Sequence, residues 1–556
     1  MMFSTSSLNA VPRLVRVWGV AALVLSSAPF LFARGAANVF SKSPYLQAPG
    51  SNTMTLMWES LTNRPGAVRY GLSGKLDQQL GPVEPLAMPG FVGVKSASGA
   101  AGFSASSTNV FFLYAAVLTN LQPGARYSYR VELDGVPTPT RRFKTLDPRT
   151  DKVRFIAYGD SRSYPKTHAA VARQLRRYAP DFILHTGDLV ARGPEYALWS
   201  KEYFLPLAGV IDEVPLLPAL GNHEWDGTNF FAYFHLPGGK RWYAFNYGPV
   251  HVLALDFHFE SATNEQFQFA RQDLLASQAP WKIVIVHCPM FNWGHHNSTW
   301  GHAAYLPLFH EARVDLVITG HSHLYERFRP VAAESGAGAW AITHITAGGG
   351  GAELGASLAH PAHAAAARTN HFVVFDATPD RLRGRTFTAG GQRIDAFEIK
   401  KKGGVPVPKY LARVYSEKLL QQSFEIGTNL LGKLAAAPTN SQPAQVMFTL
   451  APLTSAPRLV ELEISVAPGS AAKYQLENGP VRVTTPAAGE PAKTVWASVR
   501  GSGESAVSGT DLTPALAFQA RIKSESGETL AYGPRSRLSQ TAADAAKKLT
   551  AAEAGK

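Results

Sequence analysis

Between Arg154 and about Lys400 the chain alternates short apolar runs with stretches whose apolar residues recur at helical spacing, the rhythm of a layered α/β region. The apolar runs read as strands, and each ends in a polar residue before a turn. Phe155-Ile-Ala-Tyr-Gly-Asp160 is the first, followed by Phe182-Ile-Leu-His-Thr-Gly-Asp188, Pro218-Ala-Leu-Gly-Asn222-His223-Glu224, Ile283-Val-Ile-Val-His287 and Asp315-Leu-Val-Ile-Thr-Gly-His321-Ser-His323. Lys166 to Tyr178 and Asn264 to Ser277 read as helices, with Pro165 and Thr263 or Asn264 suited to their starts. Before this region the pattern changes to short alternating runs: Thr53–Trp58, Ala67–Tyr70, Val110–Tyr114, Tyr127–Leu133 and Arg142–Lys144. Turns at Pro123-Gly124 and Asp134-Gly135 separate some of them, which predicts an antiparallel β-sandwich. After Lys402, Leu459–Ser465, Val495–Arg500 and Leu516–Ile522 predict a second, smaller β-rich unit, and Tyr410 to Leu431 has helical stretches that would connect it.

Ligands of open α/β sheets bind beyond the carboxyl ends of the strands, so the five polar strand ends are expected to converge. Asp160, Asp188, Asn222, His287, His321 and His323 then form a mixed oxygen and nitrogen donor set. Such a set suits a pair of transition ions, Zn, Fe or Mn, bridged by a carboxylate. Two ions roughly 3.5–4 Å apart can clamp a phosphoryl group and activate a water. His185 reads as a strand residue and Cys288, next to His287, as packing.

The order and wording of these motifs resemble the calcineurin-like metallophosphoesterases, and the Gly320-His321-Ser-His-Leu-Tyr-Glu-Arg327 run is most similar to the purple acid phosphatase branch. Ser43-Pro-Tyr-Leu-Gln47 and Leu118-Thr-Asn-Leu-Gln-Pro-Gly124 resemble the fibronectin-type-III-like amino-terminal domain of that branch, which supports the catalytic domain. The resemblance implies an α+β layered catalytic domain, a β-sandwich flanked by helices, at 151–400, preceded by the fibronectin-type-III-like sandwich at 43–146; the strand-like runs and the Ala- and Lys-rich end beyond it are read as a β-rich domain at 405–540 and a tail at 541–556. It also implies hydrolysis of small phosphate esters by attack of metal-bound hydroxide. By motif order, Asp188 would bridge the ions, Asp160 and His323 would complete one shell, and Asn222, His287 and His321 the other.

Two positions depart from the family pattern. The purple enzymes carry a tyrosine three residues after the second-motif aspartate, where this chain has Ala191. Many other metallophosphoesterases carry a histidine two residues after the first aspartate, where this chain has Arg162. Water, Tyr158, Ser163 or Tyr164 are the candidates to complete the shell. Arg162 is a candidate for a bidentate phosphate contact, with a salt bridge to a loop carboxylate as the alternative. His223, placed between Asn222 and Glu224 so that the carboxylate would orient it, and His296 are the candidate acids for the leaving group, with His295 a substrate-binding alternate. No serine of the catalytic region stands in a Gly-x-Ser-x-Gly elbow, in keeping with a mechanism that needs no protein nucleophile.

Composition adds three constraints. The 556 residues, 45% hydrophobic and 17% charged, are enough for two to four globular domains, and a single cysteine excludes an internal disulfide framework. The net charge of +13 favours anionic partners, but the basic residues are scattered without a long tract interleaved with aromatics, so specific nucleic-acid recognition is not expected. Arg13 and Arg16 precede an apolar stretch from Val17 to Ala33 and small residues through Ala37, which makes 1–37 a signal peptide or, alternatively, a membrane anchor of a periplasmic or secreted protein. Gly90 to Thr108 is expected to be a loop, and Gly348 to Gly351 either a close approach to the metal crevice or a plain turn. A second functional class stays open: an envelope protein that captures phosphate or polymer on a partly degenerate phosphoesterase scaffold.

Overall fold

The computed structural model describes residues 39–89 and 110–537 apart from short internal stretches, so the expected leader at 1–37, the loop at 90–108, His295 and the tail at 541–556 lie outside the described residues. The first unit is two facing antiparallel sheets. One has the order Phe40–Gln47, Met54–Ser60, Val110–Leu118, Leu86–Pro89, and the other runs Gln78–Val83, Gly66–Leu72, Arg126–Leu133, Val136–Pro137, with Arg141–Lys144 also paired to Arg126–Leu133. Asp134 and Gly135 turn the chain with φ of 52° and 76°, the paired positive values of a tight hairpin turn. Leu46, Leu56, Trp58, Val68, Tyr114, Tyr129 and Val131 fill the space between the sheets, Trp58 stacking on Tyr114 at 4.9 Å.

This sandwich is fastened to the next unit through buried polar contacts as well as packing. Tyr45 donates to the carbonyl of Tyr233 at 2.8 Å, Tyr129 to that of Asp212 at 2.7 Å, and the Leu46 amide to Ile211 at 2.8 Å. Lys42 is fully buried, pairs with Glu59 at 2.6 Å, and reaches the Tyr196 hydroxyl at 2.8 Å. Its ammonium lies 4.0 Å and 4.8 Å from the ring centroids of Tyr196 and Tyr233, within cation–π range.

The central unit stacks a 7-stranded sheet on a 9-stranded one. In the first, Leu216–Pro218, Phe182–His185 and Val153–Tyr158 run parallel, and His371–Thr378, Arg381–Thr388, Arg393–Lys402 and Val405–Pro406 continue antiparallel. In the second, Val250–Ala254, Trp281–Ile285, Leu316–Thr319 and Ala341–Ala347 run parallel. The apolar runs are buried on both faces, as parallel strands require: one face, with Phe155, Phe182, Ile283, Ile285, Leu316 and Ile318, meets the other sheet, and Val284, Val286 and Val317 join a second core under the helices.

The helices fall close to their expected places. Pro165–Leu175 starts on its proline, whose missing N–H costs nothing in the first turn, and crosses between the strands ending at Tyr158 and His185. Glu265–Ala276 is capped by Asn264, whose side chain accepts from the Phe267 amide at 2.8 Å. Tyr305–Glu311 makes the third crossover. Beyond Tyr415–Ser416, which pairs with Val331–Ala332, helix Glu417–Asn429 leads into a β-rich region containing all three strands expected there: Leu459–Val466, Lys493–Ser502 and Leu516–Lys523. No helix among the described residues is long and apolar enough to cross a membrane.

Candidate metal centre

The loops that follow the parallel strands hold three of the expected ligands in strained backbone. Asp160, Asp188 and His321 have φ of 57°, 57° and 64°, left-handed values that cost a non-glycine residue on the order of 1–3 kcal/mol each and persist only where the surroundings impose them. Here they are imposed by cross-loop hydrogen bonds. The Asp160 amide donates to Gly187 O at 2.9 Å, the Ser161 amide to Asp188 O at 3.0 Å, and the His321 amide to both Asp160 carboxylate oxygens at 3.1 and 2.9 Å. Gly348, in the four-glycine run, approaches so closely that a Cβ there would meet the Ser322 carbonyl at 2.2 Å and Asp160 Oδ2 at 2.8 Å. The run is therefore a close approach and not a plain turn.

The buried donors Asp160, Asp188 and His287 each offer one atom within 4.8 Å of the others. His287 Nδ1 donates to the Thr186 carbonyl at 2.9 Å, which leaves the lone pair on Nε2. That Nε2 faces Asn222 Oδ1 at 2.8 Å, His321 Nδ1 at 3.2 Å and Asp188 Oδ1 at 3.4 Å, and His321 Nδ1 is also 3.0 Å from Asn222 Oδ1. Burial and the imidazoles of His287 and His296 push the His321 pKa far down, so its ring is neutral. With its proton on Nδ1, His287 turns the Nε2 lone pair toward the oxygens of Asn222 and Asp188, acceptor facing acceptor, an arrangement that a cation among them would relieve, and N/O donors of this kind suit a transition ion. The residues present fit the metal that the sequence implies.

On the other side of Asp188 the surroundings differ. His323 Nδ1 donates to the Glu353 carbonyl at 2.8 Å, and its Nε2 lies 3.5 Å from Asp160 Oδ1. Arg162 enters here, its Nε donating to Asp188 Oδ2 at 3.1 Å and its Nη2 3.2 Å from His323 Nε2. Its carboxylate partner is therefore Asp188 itself. Of the candidates to complete this shell, Tyr158 is buried, hydrogen-bonded to His168 Nε2 at 3.0 Å, and burial raises its pKa far above the usual phenol. Tyr164 is half exposed ahead of the helix it precedes, and Ser163 Oγ touches Arg162 Nη1 at 3.3 Å.

His223 is oriented by an unexpected partner. Its Nδ1 lies 2.6 Å from the carbonyl oxygen of Ala191, and its Nε2 3.8 Å from Asp188 Oδ2. Glu224 does not orient it. That carboxylate accepts from the amides of Asp188, Leu189, Val190 and Gly221 at 2.9, 2.8, 3.3 and 2.8 Å, and burial with the nearby Asp188 charge pushes its pKa up against these donors. It holds the Asp188 loop in shape, a role invisible in a pattern of strands. Glu202 was also missed: it accepts from the Ala191 amide at 2.7 Å and the Ser163 amide at 3.0 Å, joining two site loops from an irregular helical turn without a motif. His296 stands over the paired histidines, its ring centroid 4.9 Å from that of His321 and 5.5 Å from that of His323. His185 donates from Nε2 to Ser161 Oγ at 3.1 Å and is buried, and Cys288 packs against the second core.

Comparison with known proteins agrees with this geometry. Residues 153–325 match the model for calcineurin-like phosphoesterases, and residues 42–145 that for the amino-terminal domain of purple acid phosphatases. The chain carries a calcineurin-like phosphoesterase domain behind a purple acid phosphatase amino-terminal domain. It is 31% identical to purple acid phosphatase 22 of Arabidopsis thaliana over 270 residues, 43% of this chain and 58% of that one. It is 25% identical to acid phosphatase type 7 of Danio rerio over 336 residues, 52% of this chain and 71% of that one. A purple acid phosphatase from yellow lupin (Lupinus luteus) seeds has the same fold, with a TM-score of 0.55 at 18% identity over 67% of this chain and 76% of that one. The purple acid phosphatase family uses dinuclear centres of Fe, Zn or Mn, and the candidate group around Asp188 stands where this metallophosphoesterase would hold one.

Proposed function

We propose that this metallophosphoesterase is an exported, dinuclear-metal-dependent hydrolase of small phosphate esters. The observation that supports it most is the cluster of His287 Nε2, His321 Nδ1 and Asn222 Oδ1 within 3.2 Å of one another beside Asp188, a convergence of nitrogen and oxygen ligand atoms of the kind a transition ion takes. Asp188 would bridge, Asn222, His287 and His321 would hold one ion, and Asp160 and His323 the other. When bound, the ions supply Lewis acidity and an activated water for attack at phosphorus. Arg162 would make a bidentate contact to phosphate oxygens, and His295 would serve as a further phosphate contact.

His223 would deliver the proton to the leaving alkoxide from Nε2, its other nitrogen being committed to Ala191 O. His296, exposed above the ligands, is the second candidate acid. The chain would act in three units, 43–146 as support, 151–400 as catalyst and 405–540 as a β-rich appendage. Residues 1–37 would direct export to the periplasm or outside the cell, cleaved or as an anchor, which fractionation and amino-terminal sequencing of the mature protein would test. Activity is tested by metal analysis of the purified protein paired with chromogenic monoester and diester assays across pH. Metal-dependent turnover is expected. A metal-loaded protein that turns over neither substrate but binds phosphate would replace the enzyme with a capture protein.

A further inference from the structure

The guanidinium of Arg162 donates to the very atoms that the proposed function gives to one of the two ions. Nε is 3.1 Å from Asp188 Oδ2, and Nη2 is 3.2 Å from His323 Nε2. An imidazole nitrogen has a single in-plane lone pair. The carbonyl of Glu353 only accepts, so His323 Nδ1 carries a proton, and that lone pair at Nε2 is the ligand atom left to the ring. An arginine side chain cannot be deprotonated to release it. An ion held by Asp160, Asp188 and His323 and the Arg162–His323 contact are therefore mutually exclusive, by competition for one lone pair and by repulsion between cations. Among the described residues no such competitor stands at the other donors: the side-chain contacts of Asn222, His287 and His321 there are to one another, to Asp188 and to a main-chain carbonyl.

Resting on the ligand grouping proposed above, we infer that Arg162 gates the second metal position. The two ions load unequally, the first at Asn222, His287, His321 and Asp188, and the second only when the guanidinium leaves Asp188 and His323. Its side chain is 15% exposed, so a route to solvent is open. The position two residues beyond the first aspartate thus acts as an internal cation in place of a ligand.

The test is metal stoichiometry and affinity, independent of turnover. The full-length protein and the Arg162→Ala and Arg162→His variants are stripped of metal and titrated with Mn²⁺, with bound metal read by equilibrium dialysis and spin coupling by electron paramagnetic resonance. The unaltered protein should show an uncoupled signal through the first equivalent and take the second ion at least about tenfold more weakly, the size of effect expected of a neighbour that controls a ligand. Both variants should tighten the second ion by at least about tenfold, bring coupled signals in at lower metal, and leave the first affinity within about threefold. The unchanged first affinity shows that the variants remain folded. Equal affinities in the unaltered protein, or a second step that neither variant moves, would overturn the gate while leaving the ligand assignment standing. Failure of any of the proteins to bind even one ion would overturn the ligand assignment and the gate with it.

Discussion

His223 Nδ1 lies 2.6 Å from the main-chain oxygen of Ala191, the position at which the purple enzymes carry their tyrosine. A carbonyl only accepts, so this contact puts a proton on Nδ1 and leaves Nε2, 3.8 Å from Asp188 Oδ2, as the nitrogen that gains and gives up a proton. His223→Ala should lower kcat by about 10²–10⁴-fold, the range for a positioned acid, with metal content unchanged. Steady-state kinetics on a nitrophenyl and an alkyl phosphate check the role. The loss should be smaller for nitrophenol, which leaves without help, and His296→Ala should follow the same pattern if it shares the task. Equal losses on both substrates would make these histidines phosphate-binding groups.

With Ala191 in place of a tyrosine, the iron-loaded, oxidised protein should lack the intense visible band of a tyrosinate ligand. Tyr158 is not a ready substitute, since burial raises its pKa and its hydroxyl is engaged with His168. A visible spectrum of the Fe(III) form decides the matter, and a strong band there would mean that another tyrosine ligates.

Asp188 lies between both halves of the site, with His287 3.4 Å from one oxygen and Arg162 3.1 Å from the other. Burial by itself would raise its pKa, but His287, His223 and Arg162 outweigh that and hold it down, so the carboxylate is charged at any working pH. Asp188→Asn should lower metal affinity by more than the about 10–100-fold typical of losing an outer-shell partner, and activity with it. Elemental analysis after dialysis together with turnover measures both. Full activity with unchanged metal would sink the bridging role.

Glu224 is not among the proposed ligands, yet it gathers the amides of Asp188, Leu189, Val190 and Gly221. Glu224→Ala leaves those buried donors without their acceptor and should destabilise the fold by at least about 1–3 kcal/mol, the cost of an unsatisfied group. Metal affinity should fall by about 10–100-fold. Urea unfolding and metal titration of the variant give the two values, and a variant as stable and as tightly metallated as the parent would contradict the role.

Lys42 links the sandwich to the catalytic unit from a buried position that lowers its pKa from 10.5 to about 8, desolvation outweighing the attraction of Glu59. Between these values the unfolded chain binds more protons than the folded one, so this lysine's contribution to stability rises with pH through that window. The difference in unfolding free energy between the parent and Lys42→Met should therefore grow from about pH 8 to about pH 10.5. The variant also strands Glu59, and breaking a buried pair costs about 3–5 kcal/mol near neutrality. Urea denaturation of both proteins across that range is the check, and a flat difference would show that Lys42 keeps its proton.

The strand ends were legible because their signal is local. A parallel strand buried on both faces must be an apolar run, and the chemistry at its carboxyl end must follow within a few residues, so Asp160, Asp188, Asn222, His287, His321 and His323 stood out one motif at a time. The helix starts at Pro165 and Asn264 were legible for the same reason, since a cap acts within its own first turn. Short edge strands such as Gln78–Val83 and Leu86–Pro89 went unseen, having too few alternating positions to rise above loop. What only tertiary structure decided are the contacts between motifs. Arg162 could have met a phosphate or a carboxylate, and nothing near it in sequence marks Asp188, 26 residues on, as its partner. Glu224 sits beside His223 in the chain, but the short helical turn that begins at Asn222 sends the carboxylate to the Asp188 loop and leaves the imidazole to the backbone of Ala191. Side-chain periodicity fixes which residues share a strand face or a helix stripe. It does not fix the direction of a side chain on a loop, which is set by hydrogen bonds to whatever other loop the fold brings alongside.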